Sequence, residues 1–214
     1  MAVQPNTEAA TESDFLREYA WVTLCCGMKE RVVRTKFPFV SHAFYDWRSA
    51  SIIVQRKDRC QRLALVHFRH PGKIGSIVYV ADVLCSTGFA RFKRAVLAEP
   101  LETLQRLPFM GPATSRHLAK NLGLPFAKPD RHLTRIAEAC GHSDVQHLCE
   151  ELSNLTGDSV QLVDLVLWRF ATICGSTNSV FKHRLAQGPG QSRRIRFCPA
   201  GVSAYRFESS AEER

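Results

Sequence analysis

The stretch Leu101–Ala139, LETLQRLPFMGPATSRHLAKNLGLPFAKPDRHLTRIAEA, constrains the chain more than any other. Its apolar residues recur at helical spacing, and proline and glycine interrupt them at defined points. Leu101, Leu104 and Leu107 share one helical face, and Pro108 stops that helix because it cannot continue the hydrogen-bond ladder. Phe109-Met110-Gly111-Pro112 then reads as a tight turn, with Gly111 able to take positive φ and Pro112 suited to a helix's first turn. A second helix is expected over Thr114–Asn121, with Leu118 inward and Gly123 as its C-terminal stop. Pro125 and Pro129 keep the next stretch non-helical. Asp130 sits at the N-cap of a third helix carrying Leu133, Ile136 and Ala137, and Gly141 ends it.

Two helices joined by so short a turn leave backbone N–H groups exposed at the start of the second. That arrangement suits an anion such as a phosphate. A carboxylate capping the following helix stands one loop away. The sequence therefore pairs a phosphate grip with a placed acid.

At these residues the chain resembles the helix-hairpin-helix DNA glycosylases of the endonuclease III-like superfamily. Leu107-Pro108-Phe109-Met110-Gly111-Pro112-Ala113-Thr114 is similar to that family's hairpin, usually Leu-Pro-Gly-apolar-Gly followed by a small or hydroxyl residue. Pro129-Asp130-Arg131-His132-Leu133-Thr134-Arg135-Ile136 resembles its Val-Asp-x-His-apolar-x-Arg-apolar segment, and the spacing between the two fits. Looser helical agreement extends over residues 14–175.

The resemblance implies an all-α, two-lobed fold that hydrolyses the N-glycosidic bond of a damaged or mismatched base flipped out of duplex DNA. It implies Asp130 as the catalytic acid. The DNA contacts would be Phe109, Met110, Gly111, Pro112, Ala113 and Thr114, with Lys128, Arg131 and Lys73 as further contacts. Double-stranded DNA is the expected partner of a monomer. A monovalent cation at the hairpin carbonyls is part of the family pattern. A non-catalytic hairpin DNA-binding protein is the alternative.

Three departures shape these expectations. Phe109 stands where the hairpin's first glycine belongs. Ala113 stands where lyase-competent members carry a lysine, so a monofunctional enzyme is expected, with Lys120 and Lys128 the only nearby amines. Cys140, Cys149, Cys174 and Cys198 are too widely spaced for the compact four-cysteine cluster of some members, so no iron–sulfur centre and no other metal site is expected.

The remainder of the chain agrees with a basic helical protein. A net charge of +9 favours a polyanionic partner, and no long apolar stretch suggests a membrane span. The eight cysteines are scattered, several within apolar helical patterns, among them Cys85, Cys140 and Cys174. Buried reduced thiols in a reducing compartment follow, cytoplasmic at the nucleoid or nuclear.

Residues 1–13 read as a disordered lead. The glycosylase-like domain is expected over 14–175, with a helical barrel over about 30–140 and a second lobe from 14–29 plus 141–175. A helix over Phe15–Gly27 is capped by Ser13 or Asp14. One over Lys29–Phe37 turns Val32 and Val33 inward and its cations outward, and Met28 or Glu30 is placed near a base pocket. The stripe Val160, Val163, Leu167 and Phe170 is expected to pack on the N-terminal helix, with Asp164 and Trp168 beside a groove but structural in role. Residues 176–214 form a basic tail without a helical face. Nothing in the sequence names the excised base.

Overall fold

The computed structural model describes residues 10–174, and the expected tail 176–214 lies outside them. Among the described residues the chain is helical throughout, with no strand. The helix α1 (Glu12–Cys25) begins earlier than its apolar pattern suggests. Thr11 and Asp14 form a capping box, each side chain accepting from the other's backbone N–H. The expected disordered lead is therefore wrong at residues 11–13. Two polar residues supply a helix start where the apolar periodicity has not yet begun.

The helix α2 (Glu30–Ala43) runs through Pro38 instead of stopping before it. Val33 is buried, but Val32 is on the exposed side, contrary to expectation. Next come a 3₁₀ turn (Tyr45–Trp47), α3 (Ala50–Gln55), α4 (Lys57–His67), α5 (Pro71–Thr87), α6 (Phe89–Ala98) and α7 (Pro100–Gln105). The hairpin's second helix is α8 (Pro112–Asn121). The series ends with α9 (Arg131–Ala139), α10 (Val145–Thr156) and α11 (Val160–Cys174). Gly123 and Gly141 follow α8 and α9 with φ of 86° and 83°, the left-handed geometry that terminates a helix.

Two cores form. The larger gathers α1 to α8 around Tyr19, Leu16, Ile53, Ile77, Leu104 and Leu118. The smaller gathers α9, α10 and α11 around Leu133, Ile136, Leu148 and Val163. The expected grouping of the N-terminal helix with the last one is corrected by this packing. The helix α1 packs on α2, α5 and α8, whereas α11 packs on α9 and α10. Phe15, Leu16, Tyr19, Ala20, Val22, Thr23 and Leu24 are buried on more than one side of α1, so it is a central helix.

The two cores meet along a polar seam. Asp164 on α11 accepts from Lys120 Nζ on α8 and, at 2.7 Å, from the backbone N–H of Lys128. Gln161 donates to the Gly123 carbonyl, and Gln146 donates to the Pro125 carbonyl and accepts from Ala127 N–H. The loop between α8 and α9 buries Leu122, Leu124 and Ala127, and these bonds fix the path of its polar backbone.

Lys73 makes a second internal tie. Expected at a DNA phosphate, it is 4% exposed and donates instead to the carbonyls of Leu24, at 3.0 Å, and Cys26. Those carbonyls belong to the open C-terminal end of α1, where a cation also complements the helix dipole. Burial lowers the Lys73 pKa from its ordinary value, partly offset by Cys26 and Cys25. Lys73→Met keeps the aliphatic stem and removes the donor. It is expected to cost about 2 kcal/mol of stability in urea denaturation, the worth of charged hydrogen bonds left unmade. An unchanged midpoint would mean that the two carbonyls find other donors.

Candidate functional site

The hairpin turn is built around an unfavourable residue. Phe109 takes φ of 61°, whereas Gly111 is extended at φ −77° and ψ −176°. The left-handed position therefore falls on Phe109, not on Gly111 as expected, at about 1–2 kcal/mol for a side chain with a Cβ. The turn is tied down on three sides. Tyr19 on α1 donates to the Pro108 carbonyl at 2.9 Å. Thr114 Oγ1 reaches the Phe109 carbonyl at 2.9 Å and the Gly111 carbonyl at 3.2 Å. The Phe109 ring meets the His70 ring edge-on, 6.2 Å between centroids.

An open hollow of about 500 Å³ lies against this turn, lined by Phe109, Gly111, Pro112, Ala113, Thr114 and Cys26 among others. The helix α8 has no side-chain cap, and the N–H groups of Ala113 and Thr114 lie in its first turn, where no carbonyl of the helix precedes them. Met110 lines the hollow too, from a buried position. Its side chain is 3% exposed and its N–H donates to the Leu107 carbonyl. Arg131 is exposed at the start of α9, with Nε 3.3 Å from His132 Nε2.

Asp130 lines a second, larger space, a cleft of about 730 Å³ along the polar seam. It caps α9 through a single oxygen: Oδ1 accepts from His132 N–H at 2.8 Å and Leu133 N–H at 3.0 Å. Oδ2 takes no part in the cap. Met28 and Glu30, placed near a base pocket by the sequence, are on the cleft wall, as are Lys128, Asp164 and Trp168. Cys25 lines this cleft while its neighbour Cys26 lines the hollow, so the two spaces meet the end of α1 from different sides. Burial, with Glu30 next, pushes the Cys25 thiol up to about 11, so it presents an unreactive thiol at neutral pH. Cys85, expected to be buried, is exposed.

Trp21, His117, Gln161 and Arg169 also line the cleft, and no motif or spacing singles them out. His117 lies mid-helix in α8, where a lone histidine carries no distinguishing spacing. Lys120, considered as a substitute amine, is held in the ion pair with Asp164, its side chain 15% exposed. Among the described residues no group of three His, Cys, Asp or Glu side chains could hold a metal ion. No single helix there is long and apolar enough to cross a membrane.

No protein-family model, no curated protein and no solved structure matches the chain.

Burial, then the charges of Lys128 and Lys120, holds the His117 imidazole down to about 3. An unfolded histidine titrates near 6.5, so the unfolded chain takes up this proton first as the pH falls. Stability is then full above about pH 6.5 and declines toward pH 3. Between pH 7 and pH 5 the loss from this one group is about 1–2 kcal/mol. Denaturation at a series of pH values should show that slope in the parent and a flatter one in His117→Leu; equal slopes would assign the acid sensitivity elsewhere.

Proposed function

We propose that this chain is a monofunctional DNA glycosylase, acting on a damaged or mismatched base turned out of duplex DNA. One observation carries the reading. Asp130 caps its helix with Oδ1 alone and lines a ligand-sized cleft, and the uncapped N-terminus of α8 borders the hollow on the other side of the end of α1. Clefts of this size are typical of small-molecule sites.

The chemistry follows from the bond to be broken. As the N-glycosidic bond lengthens, its electron pair leaves with the base and the sugar gains oxocarbenium character. A carboxylate beside C1′ stabilises that positive charge and accepts a proton from the attacking water. The products are a free base, protonated at the departing nitrogen, and an abasic sugar. The base has to leave the stack first, so the distorted strand has to be held. The N–H groups of Ala113 and Thr114 suit the phosphate, with the basic surface adding the salt-dependent attraction common to DNA-binding proteins. Lys73, bonded to the end of α1, is left out of that contact set.

Asp130→Asn retains an equally good helix cap and removes the acid. Base release from a panel of single-lesion duplexes, read as alkali-revealed strand breaks, is expected to fall about 10²- to 10⁴-fold with little change in unfolding midpoint. Equal release by parent and variant would remove Asp130 from the chemistry. A parent that binds duplex yet frees no base would be a binding module.

The monofunctional assignment has its own check. Ala113 offers no amine, and Lys120 is occupied by Asp164. Borohydride treatment on abasic DNA is expected to trap no covalent adduct. An adduct that disappears in Lys120→Ala or Lys128→Ala would make the enzyme bifunctional.

A further inference from the structure

The wall of the cleft formed by α8 and α11 is not used in the proposed chemistry, and its polar groups are arranged for an occupant. Asp164 is 1% exposed, with Oδ1 engaged by Lys120 Nζ and Oδ2 by Lys128 N–H. An ammonium has three donors, and Lys120 uses one of them on Asp164. The rest have no partner among the described residues. His117 likewise has no hydrogen-bond partner there. Its ring is neutral at physiological pH, so one nitrogen donates and the other accepts.

The charges of the cleft narrow the occupant further. Arg34 is paired with Glu30, and Lys120 with Asp164. Lys128 and Arg169 then stand against Asp130 alone, a surplus of one positive charge. The aromatic surfaces differ in the same way. Trp21 already carries Arg34 over its ring at 5.7 Å and Phe37 edge-on at 5.1 Å. Trp168 is half-buried on the cleft wall with no ring partner among the described residues.

Resting on the glycosylase reading, we infer that this wall selects an uncharged base with a lactam edge, a ring N–H beside a carbonyl, over ring-N-alkylated bases bearing a positive charge. The carbonyl accepts from Lys120 Nζ, the ring N–H donates to the unprotonated nitrogen of His117, and the base plane lies on Trp168. Uracil, hypoxanthine and oxidised guanine share that edge. A cationic alkyladenine meets the surplus positive charge and also leaves His117 and Lys120 unpaired, the situation that polar sites reject most strongly, whereas N7-methylguanine keeps the lactam and is disfavoured by its charge alone. Undamaged guanine and thymine also carry a lactam, so their exclusion falls to the difficulty of unpairing them.

Single-turnover release should be measured on duplexes carrying one uracil, hypoxanthine, 8-oxoguanine, N7-methylguanine or 1,N6-ethenoadenine. N7-methylguanine is charged but keeps the lactam and ethenoadenine is uncharged but has none, which separates charge from hydrogen bonding. At least one uncharged lactam lesion is expected to be released about 10- to 100-fold faster than both of these. His117→Phe should remove that preference and His117→Gln should restore part of it. Faster Asp130-dependent release of ethenoadenine would overturn the lactam contact, faster release of N7-methylguanine would overturn the selection against charge, and either would leave the glycosylase reading standing. So would a His117→Phe variant that slows every lesion equally. If no base is released, the glycosylase reading fails, and equilibrium binding of Asp130→Asn to the same duplexes decides the wall. A His117-dependent preference for the lactam lesions upholds its selectivity, and equal affinities for all five overturn it.

Discussion

The buried carboxylate of Asp164 is the constraint on which the arrangement of this protein depends. A carboxylate out of water is expensive unless its oxygens are occupied. Here the partners come from the far side of a seam: Lys120 at the end of α8 and the backbone of Lys128 in the loop beyond it. Satisfying that one side chain therefore joins the two cores and fixes the path from α8 to α9. Asp130 lies two residues beyond Lys128, so its position follows from the same bond. The acid proposed to work on DNA is aimed by a second acid that does not touch it.

The hairpin is organised differently. Its shape is held by bonds to a turn whose central residue disfavours the conformation. Phe109 occupies a left-handed position that glycine fills without strain, and its ring rests against His70 at the start of α5. Tyr19 and Thr114 supply the compensating hydrogen bonds. Two helix starts, α5 and α8, are thereby brought beside the C-terminal end of α1, with Lys73 closing that end.

Much of this was legible in the sequence, and for identifiable reasons. Asp130 as an N-cap, Gly123 and Gly141 as helix ends, and the stripes on α9 and α11 all follow from local rules. The start of α1 was misplaced because a capping box precedes the apolar pattern. The passage of α2 through Pro38 was missed because proline usually ends a helix. Lys73 and Val32 were misassigned because a lysine in a loop reads as surface and a valine as core until partners are known. His117 was invisible, since only the cleft that α8 and α11 line together gives a lone histidine a place on a wall. Longer-range pairings such as Lys120 with Asp164 leave no trace in spacing.

The adjacent cysteines near the end of α1 have a geometrical consequence. Cys25 borders the larger cleft and Cys26 borders the depression at the turn, so the two spaces share the end of α1 as part of their walls. Protein interiors are close-packed, and Lys73 ties this shared wall to α5 through the Leu24 and Cys26 carbonyls. In the proposed complex with DNA, the seat of the strand and the room for a turned-out nucleotide would then have one structural element in common.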